Sequence, residues 1–423
     1  MARRLNRRTF LGHGTCGLLA GGAALCTMPE LAAKSSTSNK KGVDYYQKLG
    51  VTPLINAAGT YTVLSASTMP DQVQAAIALA AKQPVNLNEL HDAAGKYLAT
   101  RLRCEAALVT SGAAAALVVG TAACVTRGND SAVLNIPTDM DGLKNEVIIQ
   151  RTHRYGYDHA IRNCGTRFVE VETLERYEQA FSDRTVMAHF FNAGEGKISR
   201  EDWVRVAHSH NVPCFNDAAA DVPPISNLWN YTQMGFDLVA FSGGKGLRGP
   251  QCTGLLLGRK DLIEAAKKNN SPNSNTVGRG MKVAKEEIVG LVAAVDWFLG
   301  QDDAAMEAEY RKRAELIASH LKNIPTVQTQ IFIPEVAANH VPHLLITYDQ
   351  NRVKIVGSEV MQKMRAGKPR IELNPSTGGA PASAGLPGGP NTIVVGVWML
   401  QSGEDQIVGR RLREVLEEAT ART

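Results

Sequence analysis

Short apolar segments alternate with connections of helical length between residues 105 and 260, and this alternation constrains the fold more than any other feature. Each segment is rich in aliphatic and β-branched residues and is too short for a buried helix. The predicted strands are residues 106–110, 146–150, 167–171, 186–191, 213–217, 238–241 and 254–258. Apolar strands joined by helices are typical of a parallel sheet covered on both faces. We therefore predict an α/β domain with a mostly parallel, seven-stranded sheet.

The C-terminal part of the chain is predicted to form a smaller α+β domain. An amphipathic helix is predicted over residues 303–324, strands over 341–348 and 392–398, and a closing helix over 404–420. Residues 374–390 contain five Gly and four Pro, so this segment is predicted to be a loop. Such a loop is either an inert surface insertion or an active-site lid.

A lysine with a strand-end aspartate before it points to the chemistry. Lys245 lies in a glycine-rich loop directly after the predicted strand 238–241, and Asp217 ends the predicted strand 213–217, 28 residues upstream. Ligands of such sheets bind beyond the carboxyl ends of the strands, where both residues are expected. A lysine can form a Schiff base with pyridoxal 5'-phosphate (PLP), and an aspartate can keep the pyridine nitrogen protonated. The pair predicts a PLP enzyme.

A turn of Thr110, Ser111 and Gly112 joins the first predicted strand to an alanine-rich helix. Free N–H groups at the helix start and the two hydroxyl groups can bind the cofactor phosphate. An ordinary junction capped by Ser111 would have the same sequence, but the nearby lysine loop favours the phosphate site. A nucleotide P-loop is excluded because Gly246 follows Lys245 where Ser or Thr is needed.

The first 33 residues are predicted to be a targeting segment. Arg7 and Arg8 form a twin arginine, residues 18–25 are small and apolar, and residues 31–33 offer a cleavage site. The apolar stretch is too short for a comfortable membrane span. We therefore expect a periplasmic product, exported in folded form by the twin-arginine machinery.

The predicted organisation is a signal peptide (1–33), a linker (34–43), an N-terminal arm (44–70), a large PLP-binding domain (71–300) and a small C-terminal domain (301–423). A chain of 423 residues, 44% of them hydrophobic, can bury a core of this size. The net charge of +5 is mild, and no basic stretch is interleaved with aromatic residues, so no nucleic-acid partner is expected.

The cysteines beyond the predicted signal are scattered and odd in number: Cys104, Cys124, Cys164, Cys214 and Cys252. No Cys-x-x-Cys pair or Cys/His cluster occurs in the sequence. We therefore expect free thiols rather than a disulfide framework, and no metal site.

Four segments carry a family resemblance: residues 55–60 (INAAGT), 110–112 (TSG), 243–251 (GGKGLRGPQ) and 278–283 (GRGMKV). They resemble the bacterial selenocysteine synthase-like family of fold-type I PLP enzymes, and within it the D-glucosaminate-6-phosphate ammonia-lyase branch. The resemblance implies the architecture shared with aspartate aminotransferase, PLP as cofactor and a lyase reaction. Selenocysteine synthases carry an N-terminal tRNA-binding domain, which the short predicted linker does not supply. Selenium transfer is therefore not expected.

Carried over residue by residue, the resemblance implies that Lys245 holds PLP and that Asp217 faces its pyridine nitrogen. It also implies phosphate binding by residues 110–112 and by Ser242, which precedes the lysine loop. His153 follows the predicted strand 146–150, at a place where fold-type I enzymes often stack a ring on the cofactor. We expect it either there, where it can also move protons, or as a hydrogen-bonded surface histidine.

Recognition of a substrate carboxylate is expected to need a guanidinium, because its planar fork pairs with two oxygens. Arg370 lies where an extended segment enters the small domain, and fold-type I enzymes usually supply an arginine from that domain. A surface arginine on an edge strand would have the same pattern. Arg279, flanked by glycines, is the competing candidate.

The predicted function is an α,β-elimination of the ammonia-lyase or dehydratase type on an amino acid or a derivative, with Lys245 taking the α-proton. The same residues would serve an aminotransferase or a racemase. A non-catalytic role is argued against by the intact Lys245 and Asp217. A homodimer is also predicted, because fold-type I enzymes often send a segment like residues 276–280 into the neighbour's site.

Overall fold

The computed structural model describes residues 43–192, 194, 196–334, 339–380 and 385–420. The predicted signal peptide, residues 1–33, and most of the predicted linker lie outside the described residues. The chain divides into two compact units, residues 1–51 and 52–423. The described part of the first contains helix α1 (Tyr45–Leu49), capped by the Asp44 carboxylate, which accepts a hydrogen bond from Gln47 N. All strands of the described residues belong to the second unit.

The second unit alternates helices and strands along most of its length. The strands are β1 (Leu54–Ala57), β2 (Ala106–Thr110), β3 (Glu146–Gln150), β4 (Arg167–Val171), β5 (Thr185–Phe191), β6 (Cys214–Asp217), β7 (Leu238–Ser242), β8 (Gly254–Gly258), β9 (Gln328–Phe332), β10 (His343–Thr347), β11 (Arg370–Leu373) and β12 (Thr392–Gly396). The helices that follow α1 are α2 (Asp71–Ala80), α3 (Leu87–Arg101), α4 (Ala113–Thr126), α5 (Asp130–Asn135), α6 (His159–Arg162), α7 (Leu174–Gln179), α8 (Arg200–Ser209), α9 (Asn227–Met234), α10 (Lys260–Lys268), α11 (Lys285–Leu299), α12 (Asp303–His320), α13 (Gly357–Ala366) and α14 (Glu404–Thr420).

A seven-stranded sheet with the order β2-β8-β7-β6-β5-β3-β4 forms the centre of this unit. Strand β8 pairs antiparallel with β2 and β7, and every other neighbouring pair is parallel. The seven strands are those predicted from the sequence, with ends that differ by at most one residue. The prediction of a mostly parallel, seven-stranded α/β sheet is confirmed.

Alternate residues of each strand enter different cores, as the pleat of a strand requires. Val239 and Phe241 belong to one buried apolar cluster, whereas Leu238 and Ala240 belong to a second. Helix α4 covers the second face so closely that a Cβ at Gly120 would lie 2.5 Å from Phe215. Because both faces are buried, the strands read as continuous apolar runs in the sequence.

The C-terminal part contains a three-stranded antiparallel sheet, β12-β10-β9, and a parallel pair of β1 with β11. The predicted helix 404–420 is α14, and the other predicted helix and strands of this part are found with shorter ends. Strand β9 and helix α13 were not predicted. The β9 sequence begins Gln-Thr-Gln and is largely exposed, so it lacks the apolar pattern that identifies a strand.

The boundaries predicted at residues 70 and 300 stay predictions. Residues 374–380 and 385–390, which belong to the predicted Gly/Pro loop, form no helix or strand beyond a single bridge between Thr377 and Gly389. Within the described residues, no helix has both the length and the apolar character that a bilayer crossing requires. The five predicted free cysteines are free thiols.

Candidate active site

The carboxyl ends of the parallel strands bring several predicted residues to one edge of the sheet. Asp217, the last residue of β6, pairs in register with Phe191 of β5 and with Ala240 of β7. Ser242 and Thr110 both pair with Gly254, from opposite sides of β8. Thr110, Ser242 and Asp217 therefore end β2, β7 and β6 at the same edge of the sheet.

The loop after β7 presents Lys245 on a tightly packed backbone. A Cβ at Gly244 would lie 2.4 Å from Gln251 Cα, and one at Gly246 would lie 2.2 Å from Val222 O. Glycine is needed at both positions because backbone atoms approach too closely for any side chain. Ser67 Oγ also donates to Gly244 O at 2.6 Å. The loop therefore holds Lys245 in a fixed place.

Burial shifts the ionisation of Lys245 and Asp217 in opposite directions. It lowers the pKa of Lys245, against the charges of Asp217 and Asp221, which act to raise it. Burial also raises the pKa of Asp217, against the Tyr155 hydrogen bond and the Lys245 charge, which act to lower it. Desolvation disfavours both charged forms. A Lys245 amine that loses its proton more easily is present to a larger extent as the free amine, the form that acts as a nucleophile and base.

A cavity of about 380 Å³ opens beside Lys245. The seven-stranded sheet, the three-stranded sheet and several connecting segments contribute to its wall. The lining residues are Ala58, Gly59, Thr60, Tyr61, Tyr155, Gly156, Tyr157, Phe191, Ala220, Lys245, Pro334, Asn339, His343, Asn374, Leu386 and Trp398. Among these described residues Lys245 carries the only formal charge, and five are aromatic Tyr, Phe or Trp. The wall is therefore largely neutral and aromatic.

The segment after β1 is held against the cavity by two asparagines. Asn56 Oδ1 accepts hydrogen bonds from Ala58 N and Gly59 N, both at 3.1 Å. Asn374, which begins the predicted Gly/Pro loop, donates from Nδ2 to Ala58 O at 2.9 Å. These bonds explain the asparagine in the INAAGT segment, to which sequence alone gave no role.

The structure corrects the expectation for His153. A short 3₁₀ turn (Arg151–His153) follows β3 and buries this side chain completely beneath the sheet edge. Its Nδ1 accepts from Phe191 N at 3.3 Å, and burial lowers its pKa to about 4. His153 is therefore not a surface residue, and it does not line the cavity beside Lys245. Tyr155, two positions later, lies in the cavity instead.

Tyr155 contacts the predicted site directly. Its hydroxyl donates to Asp217 Oδ2 at 2.5 Å, and its ring stacks on Phe191 with the centroids 4.0 Å apart. Tyr157 lies on the other side of the loop, with Lys245 Nζ 6.0 Å from its ring centroid. The sequence signal that could have identified them is the Tyr-Gly-Tyr pattern at residues 155–157, shortly after the end of β3.

Neither predicted arginine lies in the cavity. Arg370, at the start of β11, donates from Nε and Nη2 to Oε1 of the buried Glu372, at 2.8 and 2.5 Å. Arg279 is exposed and donates from Nη1 to Ser271 Oγ at 3.3 Å. The Arg370 guanidinium is therefore paired with the buried Glu372 carboxylate, two residues away. The sequence analysis did not consider this pairing.

The predicted phosphate-binding turn adjoins the cavity edge of the sheet but does not line the cavity. Thr110 Oγ1 donates to Gly112 O at 2.9 Å, and Gly112 has a φ of 123°, which favours glycine. A Cβ at Gly254 would lie 2.3 Å from Gly112 C, so β8 begins directly beneath the turn. Helix α4 starts at the next residue with unbonded N–H groups.

His343 in β10 was missed because nothing in its sequence context marks it. It lies in the cavity wall, and its Nδ1 is 3.0 Å from Val341 O. A carbonyl partner requires the hydrogen on Nδ1, which leaves Nε2 as an acceptor. Burial lowers its pKa to about 4, so the ring is neutral at physiological pH.

One group of metal-type donors, His208, Cys214 and Asp237, lies within 4.8 Å on another side of the sheet. The Asp237 carboxylate accepts from Arg259 Nη1 at 3.0 Å and from Cys214 N at 2.7 Å, and it lies 2.9 Å from His208 Nε2. These partners satisfy the carboxylate without an ion.

Comparison with known proteins adds to this geometry. Residues 54–331 match the family described as L-seryl-tRNA selenium transferase. The chain is 31% identical over 287 residues to the D-glucosaminate-6-phosphate ammonia lyase of Salmonella typhimurium, covering 65% of this chain and 75% of that protein. It is 30% identical over 343 residues to a 5'-C-glycyluridine monooxygenase-decarboxylase of a Streptomyces species, covering 78% and 83%.

Solved structures agree with the family match. A structure of D-glucosaminate-6-phosphate ammonia-lyase superposes with a TM-score of 0.75 at 26% identity, covering 89% of this chain and 99% of that one. A cysteine desulfurase from Escherichia coli shares the fold at 16% identity, with a TM-score of 0.52 over 83% of this chain and 92% of that one. The fold is that of the fold-type I PLP enzymes.

Proposed function

Because this chain belongs to the L-seryl-tRNA selenium transferase family of PLP-dependent enzymes, we propose that it is an ammonia lyase or dehydratase for an amino acid or an amino-acid derivative. The observation that carries the proposal is the joint position of Lys245, in the cavity wall, and Asp217, at the neighbouring strand end. The 31% identity to an ammonia lyase favours elimination as the reaction.

The donor set fits PLP. Lys245 would hold the cofactor covalently through Nζ, and the Asp217 carboxylate would face the pyridine nitrogen. Thr110, Ser111 and the N–H groups that begin α4 would bind the phosphate, together with Ser242. A buried amine, a buried carboxylate and a helix start at one sheet edge are the three groups that this cofactor requires.

Each residue has a defined chemical task. Bound PLP supplies an electron sink for the electrons left when a bond at the substrate α-carbon breaks. Lys245 Nζ takes the α-proton, which its lowered pKa favours at neutral pH. Asp217 stays ionised and stabilises positive charge at the ring nitrogen. The aromatic side chains of the wall reduce the access of water to Lys245.

The far wall of the cavity suits a neutral, hydroxyl-bearing part of the substrate. His343 offers an acceptor, and the side chains of Thr60 and Asn339 offer hydrogen-bonding groups. Trp398 adds an aromatic face. No arginine is among the described residues of this wall, so a carboxylate is not recognised there by a guanidinium of the same chain.

One observation favours a second candidate. The 30% identity to a monooxygenase-decarboxylase extends over 78% of this chain, more than the 65% covered by the ammonia lyase. The second candidate is therefore an oxygen-dependent decarboxylation of an amino acid on the same lysine. The two reactions differ in their demand for oxygen and in their products.

The test uses purified protein loaded with PLP and a panel of D- and L-amino acids and amino-sugar acids, in air and without oxygen. Elimination is expected to release ammonia and a keto product in equal amounts, without oxygen and without an amino acceptor. Oxygen-dependent release of carbon dioxide would establish the second candidate instead. Acceptor dependence would identify an aminotransferase, and loss of optical activity alone a racemase. Lys245→Ala is the inactive control.

Assembly and location complete the proposal. A homodimer is supported by the exposed Arg279 on a segment that follows the lysine loop. Light scattering of the loaded enzyme is expected to give twice the chain mass, and an active monomer would exclude the dimer.

Export by the twin-arginine route to the periplasm is supported by Arg7 and Arg8. Replacing both with lysine should keep the protein in the cytoplasm.

A further inference from the structure

Three side chains form a hydrogen-bonded chain: Asp217, Tyr155 in the cavity wall and the fully buried His189. Tyr155 Oη lies 2.5 Å from Asp217 Oδ2, a length typical of a charge-assisted O–H···O bond. His189 Nε2 lies 3.2 Å from the same hydroxyl. The other carboxylate oxygen, Asp217 Oδ1, accepts from Ala219 N at 3.0 Å.

The direction of the chain follows from its donors. An ionised carboxylate only accepts, so the single hydroxyl hydrogen of Tyr155 points to Asp217. His189 Nε2 must then carry a hydrogen and donate it to Tyr155 Oη. His189 Nδ1 is buried and has no atom within hydrogen-bonding geometry, although the Phe215 backbone acts to raise the pKa of the same ring.

The surrounding rings keep these groups in place. Tyr155 stacks on Phe191 with an interplanar angle of 6°, and it is nearly parallel to the His189 ring, at 5°. His189 and Phe191 both belong to β5, and Phe191 is the register partner of Asp217 on β6. Two paired strands thus fix the acceptor and the stacking platform relative to each other.

We propose that Tyr155 is a positioning residue that keeps Asp217 ionised and aimed at the cofactor ring nitrogen, and that His189 in turn positions the Tyr155 hydroxyl. The inference rests on the proposed function, in which Asp217 faces that nitrogen. It assigns a task to two residues that the lysine and aspartate motifs do not include.

The task is needed because Asp217 is buried. Burial raises the pKa of its carboxyl, and a protonated Asp217 would no longer attract positive charge at the ring nitrogen. The Tyr155 hydrogen bond and the Lys245 charge act in the opposite direction. Burial lowers the pKa of His189 to about 3, so its ring stays neutral and keeps Nε2 as a donor.

Other charged or titratable groups lie near the chain. Asp221 is buried on the same connection as Asp217, and its pKa is raised to about 7, mainly by burial. The charge of Asp158 acts to raise the pKa of Tyr155 and of His189, and the charge of His153 acts to lower the pKa of His189. None of the three donates a hydrogen bond to Asp217, so Tyr155 is its only side-chain donor among the described residues.

The experiment compares Tyr155→Phe with Tyr97→Phe, a matched control that removes an exposed tyrosine hydroxyl, which donates to the Asp296 carboxylate outside the cavity. PLP affinity is measured by absorbance titration of the apoprotein, and the bound-cofactor spectrum is recorded from pH 5 to 9. Tyr155→Phe is expected to weaken PLP binding about 10- to 100-fold, the equivalent of one charge-assisted hydrogen bond. Tyr97→Phe should stay within about twofold of the wild type.

The spectrum provides a readout that a purely structural role would not move. Without the Tyr155 donor, Asp217 takes up a proton at higher pH, so the acid-side spectral transition should move up by about 1 to 2 pH units. His189→Gln, which keeps a side-chain N–H donor, is expected to lie closer to the wild type than His189→Leu. Circular dichroism of each apoprotein establishes that it is folded.

Asp217→Asn separates the two levels of the proposal. If this variant loses the acid-side spectral transition and α-proton chemistry but Tyr155→Phe matches Tyr97→Phe in affinity and spectrum, the positioning role is overturned and the proposed function stands. If Asp217→Asn keeps the wild-type spectral transition and near-normal turnover, the assignment of Asp217 to the ring nitrogen fails, and the positioning role fails with it.

Discussion

At the scale of single residues, the site depends on charges that are kept few and enclosed. Lys245 is the only charged side chain among the described residues of the cavity wall, and Asp217 lies behind the wall at the end of β6. Burial favours the neutral form of both groups. The lysine thereby gains a reactive amine, whereas the aspartate needs hydrogen-bond donors to remain a carboxylate.

The covalent link is expected at Lys245 and nowhere else. Borohydride reduction of the PLP-loaded protein followed by peptide mapping should find the pyridoxyl group on this residue, because its amine is buried in the cavity with a lowered pKa. Lys282→Ala, which changes an exposed lysine, should be labelled like the wild type. A label on Lys282 or Lys285 would refute the assignment.

Arg370→Ala is expected to change stability rather than substrate binding. The substitution removes one of two guanidinium partners from the buried Glu372, and Arg365 remains at 2.9 Å. The free energy of unfolding should fall by about 1–2 kcal/mol, since one charged hydrogen-bond partner is lost. The Michaelis constant should stay within about twofold. A tenfold rise in that constant at unchanged stability would restore Arg370 as the carboxylate ligand.

At the scale of elements, the lysine loop packs so closely against the backbone of its neighbours that a Cβ at Gly244 or Gly246 would clash with it. The loop lies between the Val222 segment on one side and the Gln251 segment on the other, and glycine alone fits at Gly244 and Gly246. The precise direction of Lys245 is therefore a property of three adjoining segments rather than of the loop sequence alone.

Gly246→Ala should disrupt this arrangement. The new Cβ would meet Val222 O at 2.2 Å, and a backbone atom cannot move aside as a flexible side chain can. We expect a loss of about 2 kcal/mol or more in unfolding free energy, and at least a tenfold loss of PLP affinity. Gly379→Ala, which meets nothing within 4 Å, is the matched control and should behave as the wild type. Normal PLP binding by Gly246→Ala would show that the loop adapts.

At the scale of the whole molecule, buried imidazoles couple folding to pH. Burial lowers the pKa of His91, and it lowers the pKa of His153 to about 4, of His189 to about 3 and of His343 to about 4. In the unfolded chain the same rings bind protons below about pH 6.5. Unfolding therefore takes up protons between pH 6.5 and 4, and stability falls as the pH is lowered through this range.

The buried Asp221 acts in the opposite sense. Its pKa is raised to about 7, whereas in the unfolded chain it is about 4. Between these two pH values the folded protein binds a proton that the unfolded chain does not bind, so this group stabilises the fold as the pH is lowered. As the pH is lowered, the net effect is a fall in stability, because the buried histidines outweigh the buried carboxyls. His153→Gln should flatten the dependence by up to about 1.4 kcal/mol per pH unit.

Urea unfolding at pH 7, 6 and 5 measures this slope for the wild type and for His153→Gln. His159→Gln, which changes an exposed histidine, serves as the control and should leave the slope unchanged. Parallel slopes for the wild type and His153→Gln would show that the ring is not held neutral by the fold.

Local sequence patterns were sufficient to predict the seven strands of the central sheet. They also placed Asp217, Ser242 and Lys245 at or just after strand ends. These features depend on local apolar runs and on the rule that parallel strands end at one edge, so no knowledge of packing is required. The family segments added PLP and a lyase reaction, and the comparisons support both.

Which side chains meet at that edge depends on the packing of segments that are distant in the sequence. A single 3₁₀ turn buries His153 and brings Tyr155 to Asp217, and strand β10 carries His343 into the cavity from more than 90 residues beyond Lys245. The Arg370 guanidinium donates to the Glu372 carboxylate, which is buried by the surrounding fold. The direction of a side chain depends on long-range register and on the desolvation of its neighbours, and neither is encoded in a local pattern.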